Sequence, residues 1–234
     1  MCHCLVFLVF AFAFGFPSCS NVSISSSERC VWSVQPFVDE LVVPSVWENQ
    51  STVFLDAKLS QMQFHASMPL MFCYGYDGRV PGPTLVVTPG ATLKVVLRNS
   101  LPKKHLLKVD LRVHHVYSDE PLLTFHLHGA QVRARFDGQP NQFLAPGGAN
   151  ETRFFQHGKE PESLFYHDHA HGITRLNVIM GLFGAYVVAD SFDSSHDIPL
   201  MISCLSFSKV KTNKFHVRFL LTVFEFHEGR DFHT

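Results

Sequence analysis

The sequence is poor in charge. Asp, Glu, Lys and Arg make up 17% of the 234 residues, and the two signs nearly cancel at a formal net charge of −1. There is no basic run, so neither a nucleic-acid partner nor a polybasic membrane anchor is indicated. Beyond the first 20 residues, no apolar run is long enough to span a bilayer. The chain carries no Gly-x-Ser-x-Gly elbow, no His-Glu-x-x-His and no Gly-rich phosphate loop, which removes the common hydrolase and nucleotide chemistries. It has no long segment of 3.6-residue period and no internal repeat, which argues against a helical bundle or a solenoid. Cysteine is scarce. Cys2, Cys4 and Cys19 fall in the first 20 residues, leaving Cys30, Cys73 and Cys204. An odd number of thiols allows one disulfide at most and no disulfide scaffold.

What is present begins with an apolar stretch from Leu5 to Phe16, followed by the small residues Ser18 and Ser20. This pattern reads as a secretory signal over residues 1–20, with a buried N-terminal strand as the alternative. The expected location is therefore extracellular. Asn21, Asn49 and Asn150 each begin an N-glycosylation triplet, as expected of an exported glycoprotein. Residues 21–50 read as an extension, Ser-rich at its start and broken by Pro36 and Pro44.

From Ser51 onward, short β-type segments recur between turn signals. Val53, Leu55, Ala57 and Leu59 alternate as in a half-buried strand. Strands are also expected at 72–76, between the Pro/Gly clusters at 81–83 and 89–90, and at 91–99, 122–128, 151–155, 163–169 and 185–189. Leu107, Val109, Leu111 and Val113 alternate with Lys108, Asp110 and Arg112 and suggest one more. In 151–155, Arg153 and Phe155 share one face and Thr152 and Phe154 the other; the sequence leaves open which face is buried. Asp137-Gly138 and Pro146-Gly147-Gly148 mark turns. Regularly spaced short strands predict an all-β sandwich or barrel over residues 51–195. Residues 196–234 read as the start of a second domain and a divergent tail, too short to bury a core of its own.

The chain also holds 15 histidines. That abundance yields roughly one His-x-His pair by chance. There are three: His126 with His128, His167 with His169, and His169 with His171. On a strand, residues two apart share a face, with Cβ atoms roughly 6.5–7 Å apart. One small ion does not bridge that distance from a straight strand, so the spacing suits two ions side by side. Two such strands side by side would present four imidazoles, a donor set for copper, zinc, iron or nickel. Absence of thiolate argues against a structural zinc knuckle. The alternative is ordinary surface or core histidines on a His-rich chain. Asp168, between two histidines, points to the opposite face and is expected to accept a supporting hydrogen bond rather than bind metal. His171 is expected to cap the row or face solvent. His105, His114, His115 and His157 read as surface residues without a role.

Three motifs together carry a family resemblance: PGPT at 81–84, TFHLHG at 124–129 and YHDHAHGITRLNVIMGLFGAYVV at 166–188. They resemble the first plastocyanin-like (cupredoxin) domain of multicopper oxidases, nearest the spore-coat laccase and bilirubin oxidase branch, whose second motif reads close to WYHDHAMGITRLNVYAGLAG. The resemblance implies a Greek-key β-sandwich and copper as cofactor. It implies that His126 binds a type 2 copper, and that His128, His167 and His169 bind the type 3 pair of a trinuclear cluster. The implied partners are dioxygen, reduced to water, and a reducing substrate oxidised at a separate type 1 copper. Phe165 stands where the family has Trp, and His171 where it has Met. The larger departure is that HPxHxHG and HCHxxxHxxxM, which complete the cluster and build the type 1 site, do not occur in these residues. The expectation is a fragment: a truncated gene model, retained intron sequence or a short product. Three functions follow: one part of a secreted copper oxidase, a non-catalytic copper-binding module, or a remnant without a metal role. Standing alone, the domain would leave an apolar, histidine-rich face open to self-association.

Overall fold

The computed structural model describes residues 38–201 and, for the backbone alone, the segments 204–209 and 215–220. The expected secretory signal, Cys30 and most of the divergent tail lie outside the described residues. Eleven strands and one short α-helix are described. They are β1 (Val46–Glu48), β2 (Thr52–Met62), β3 (Met71–Tyr76), β4 (Thr84–Val87), β5 (Thr92–Ser100), β6 (Phe125–His128), β7 (Glu151–Gln156), β8 (Glu162–Asp168), α1 (Thr174–Met180), β9 (Phe183–Val188), β10 (Cys204–Lys209) and β11 (Phe215–Leu220).

Two sheets form the body. One runs β1-β4-β9-β8-β6 and the other β3-β2-β5-β7; β10 and β11 form a separate two-stranded ladder. The chain crosses between sheets at several connections, which is why β2–β5 and β4–β9 pair in parallel. The inward residues of both sheets meet in one core. Val53, Leu55 and Ala57 of β2 and Leu93, Val95 and Leu97 of β5 pack with Leu85 and Val87 of β4, Phe125 and Leu127 of β6, and Tyr186 and Val188 of β9. Each set is spaced by two, the period at which a strand presents one face. The all-β sandwich expected from sequence is the fold observed. At the open face of β7, Arg153 and Phe155 turn inward while Thr152 and Phe154 are exposed.

Tyr166 of β8 is the pin of this core. It is fully buried and donates its hydroxyl to the Pro83 carbonyl at 2.6 Å. A Cβ added at Gly82 would come within 2.5 Å of the Tyr166 hydroxyl, and one at Gly184 within 2.2 Å. The glycines of the PGPT and GLFG motifs thus leave room for one aromatic ring. Tyr166 also stacks on Phe125 at 5.1 Å between centroids. These two aromatics immediately precede His167 and His126, so core packing fixes the register in which the histidines meet.

One strand expected from sequence requires correction. The alternation over 107–113 is not a strand: Leu111 and Val113 are exposed, and the chain turns repeatedly, with Val113 N–H donating to Asp110 and Val116 N–H to Val113. Alternation without a partner strand leaves backbone groups unpaired, and local turns satisfy them instead. The stretch leading into Met180, to which the sequence pattern assigns no element, is helical. Thr174–Met180 forms about two turns of helix, stopped at Gly181, whose N–H reaches back to the Asn177 and Val178 carbonyls. Its buried face carries Asn177, Val178, Ile179 and Met180.

Candidate metal centre

Strands β6 and β8 are antiparallel neighbours, and their register sets His126 opposite His167 and His128 opposite Phe165. The ligand atoms of His126, His128 and His167 all lie within 4.8 Å of one another. Ring centroids stand 5.6 Å apart for His126–His128, 5.3 Å for His126–His167 and 5.5 Å for His128–His167. Sequence reasoning therefore selects residues that the fold does bring together. His169 lies one residue past the end of β8. Its ring stacks on His126 at 4.7 Å, beside the group of three rather than within it. The single row of imidazoles expected along one strand is thus bent at its end.

The decisive detail is which ring nitrogen each histidine commits to the protein. Nδ1 of His126 bonds the Asp137 carbonyl oxygen, Nδ1 of His167 the Asp168 carbonyl at 2.7 Å, and Nδ1 of His169 the Gly138 carbonyl at 3.0 Å. A carbonyl can only accept, so each Nδ1 carries the proton and each Nε2 presents a lone pair. A metal-binding imidazole needs this arrangement: one nitrogen anchored through N–H, the other free. His128, the most exposed of the four, donates from Nδ1 to Nε2 of His167 at 3.3 Å.

Burial favours the neutral, ligating form. It drives His167 down to about 4, and the neighbouring His126, His128 and His169 act in the same direction. Burial also lowers His126, against the Asp137 hydrogen bond, which raises it. Neutral imidazoles hold their lone pairs for a cation without first releasing a proton. No thiolate or carboxylate belongs to the close group of three. An all-imidazole donor set with fixed tautomers fits copper.

Two anchors were read in the sequence only as a turn. Asp137 and Gly138 supply the carbonyls that orient His126 and His169. A Cβ at Gly138 would come within 2.2 Å of the Phe125 carbonyl oxygen, so this turn can press against β6 only with glycine there. The Asp-Gly pair was the available signal; its crowding against β6 was not visible in one dimension.

Asp168 faces away from the imidazoles, as expected. It is fully buried and accepts from Thr124 N–H at 2.8 Å, Ala170 N–H at 3.1 Å and the Asn177 amide at 3.0 Å. Burial pushes its carboxyl up to about 7, against the pull of these donors. It ties β8, the segment entering β6 and α1 together behind the histidines. Asn177 also donates to the Leu122 carbonyl at 2.7 Å and bonds His105 Nε2 at 3.1 Å. His105 and His157 are thus not surface residues: they are 4% and 7% exposed, and His157 Nε2 bonds the Tyr186 hydroxyl at 2.6 Å. Their ring nitrogens are spent on Asn177 and Tyr186, not on the metal centre.

Residues 60–192 match the family model described as "Multicopper oxidase". Among curated proteins, the chain is 34% identical over 199 residues to a laccase of Bacillus stratosphericus, covering 76% of this chain and 39% of that protein. It is 30% identical over 195 residues to a laccase of Bacillus subtilis (strain 168), covering 73% of this chain and 38% of that protein. Among solved structures it is similar to a bacterial laccase-like multi-copper oxidase from the lignin-degrading Ochrobactrum sp. That likeness has a TM-score of 0.53 at 22% identity, covering 67% of this chain and 31% of that one, and it bears on the fold. The chain thus spans about two-fifths of the length of the curated relatives it matches.

Proposed function

The chain belongs to the multicopper oxidase family, and on that premise we propose that residues 51–195 are a copper-binding cupredoxin domain of a secreted, laccase-like oxidase. In this reading His126 serves a type 2 copper, and His128, His167 and His169 serve the type 3 pair. The observation that carries it is the convergence of three imidazoles within 4.8 Å, with Nδ1 of His126 and His167 held on backbone carbonyls. Bound copper supplies the one-electron steps by which oxidases of this kind take electrons from a reducing substrate and reduce dioxygen to water. The chain's own residues hold and orient. Asp137 and Gly138 fix the rings of His126 and His169, the Phe125–Tyr166 stack fixes the strand register, and Asp168 fastens the strands from behind.

The four histidines are half of the family's cluster set. The 234-residue chain by itself is therefore expected to hold copper without turning over. Export is supported by the apolar run of residues 5–16 and by the exposed triplet residues Asn49 and Asn150. Among the described residues, no helix is long and apolar enough to cross a membrane.

The test is copper content after equilibrium dialysis of the 234-residue chain against Cu(II). More copper retained by this chain than by His126→Ala/His167→Ala is the expected result. Equal copper in both proteins, or none in either, would overturn the assignment. A phenol-oxidation assay on the same preparation should show no sustained turnover, and turnover would refute the half-site reading.

A further inference from the structure

A second group of imidazoles lies outside the centre described above, on the loop that the sequence had suggested was a strand. His114, His115 and His171 are all exposed. The rings of His114 and His115 are 3.7 Å apart, and those of His115 and His171 5.9 Å. The latter separation is close to the 5.3–5.6 Å between the rings of the three converging histidines. We propose that His115 and His171, held together through the His114 carbonyl, form a second, surface site for a borderline divalent cation of the copper or zinc type.

Three observations support a built site rather than a chance encounter. First, the two chain segments are fastened beneath it. Val109 and Val116 of the loop pack with Ala170 and Ile173 in a buried apolar cluster, and a side chain at Gly172 would overlap Val116 at 2.2 Å. Second, the ring of His171 is oriented. Its Nε2 donates to the His114 carbonyl at 2.8 Å, so Nδ1 presents the lone pair. The same bond staples the two histidine segments together. Third, His115 sits at φ +64°, a left-handed backbone that a non-glycine residue seldom adopts. That geometry places its ring within reach of both His171 and Tyr117, whose hydroxyl is 2.9 Å from His115 Nδ1. Whichever partner donates in that bond, one ring nitrogen of His115 retains a lone pair or gains it on metal binding, and Tyr117 is 85% exposed and free to rotate away.

The donor type selects the ion. Imidazole without carboxylate suits Cu(II), Zn(II) or Ni(II) and not Mg(II) or Ca(II). An exposed site of two imidazoles exchanges its ion with solvent, so it would collect a cation rather than bury one. It is independent of the cluster assignment, because none of its ligands is shared.

The experiment uses the 234-residue chain carrying His126→Ala/His167→Ala, which silences the first centre, titrated with Cu(II) and separately with Mg(II) by calorimetry. One equivalent of Cu(II) and no Mg(II) is expected. Adding His115→Ala and His171→Ala should weaken that binding by roughly tenfold or more, while His196→Ala, at an exposed histidine bonded to Asp193 and Ser195, should leave it unchanged. If the alanine variant loses its circular dichroism, His171→Gln replaces it, since glutamine can keep the bond to the His114 carbonyl while removing the imidazole. Undiminished Cu(II) binding in a folded variant, or the absence of binding before either change, would overturn the proposal.

Discussion

Two kinds of wholly or partly buried histidine stand among the described residues. His126, His167 and His169 each spend one nitrogen on a backbone carbonyl; the other stays open in His126 and His169, and in His167 it meets only the neighbouring His128 ring at 3.3 Å. His105 spends both. Its Nδ1 accepts from Leu107 N–H at 2.9 Å, which leaves the proton on Nε2 for the Asn177 oxygen. His157, too, turns its Nε2 onto a buried tyrosine. The difference between a ligand and a structural histidine is thus not burial alone, since His126 and His167 are also partly buried. It is whether the fold uses the last lone pair.

The largest expected effect breaks that comparison in two directions at once. His126→Ala/His167→Ala should lower copper affinity on the order of a hundredfold or more while changing unfolding free energy by about 1 kcal/mol or less. His105→Ala/His157→Ala should do the reverse. It strips the Asn177 and Tyr186 groups of partners and opens space in the core, costing about 2–4 kcal/mol by urea denaturation, with copper held as before. Equal copper loss in both variants would mean the two classes are not distinct.

The next effect lies between the classes. Asp168 is where the structural network touches the histidine strands. Asp168→Ala leaves Thr124 N–H, Ala170 N–H and one Asn177 amide proton buried without an acceptor. A loss of about 3 kcal/mol is expected. Asp168→Asn keeps an oxygen acceptor and the shape, and should cost about half as much. If the two variants were equally unstable, the carboxylate's charge rather than its hydrogen bonds would be the source.

The strands that carry the site were legible because period-two patterning survives wherever one face is buried, as at Val53, Leu55 and Ala57. The histidine pairs were legible because β6 and β8 are such strands. What was not legible depended on distant partners. His105 finds its acceptor 72 positions away and His157 its tyrosine 29 positions away. Nothing near either residue in sequence marks it as buried. The 107–113 alternation misled because Leu111 and Val113 look outward: a pattern of two is evidence for a strand only when a sheet edge is present to receive it. Asp137-Gly138 was read correctly as a turn and incompletely as chemistry, because its carbonyls serve rings 11 and 31 positions away.

The smallest expected effect sharpens the comparison through pH. Burial lowers the pKa of His105, with the Asn177 oxygen opposing, and burial alone lowers that of His157. In the unfolded chain both titrate near the ordinary value of about 6.5. Between that value and the lower folded one, the unfolded state binds more protons, so stability falls as pH falls. Their contribution is fully present above about pH 6.5 and declines below it until the folded pKa is passed. Replacing both with glutamine removes the two titrations while keeping polar side chains in place. The wild-type chain should therefore lose its stability advantage over His105→Gln/His157→Gln between pH 7.5 and pH 5, by about 1 kcal/mol, in urea midpoints measured without metal. An advantage that stayed constant across that range would mean that these two histidines accept protons in place. They would then differ from the cluster histidines only in position, not in the way the fold uses their lone pairs.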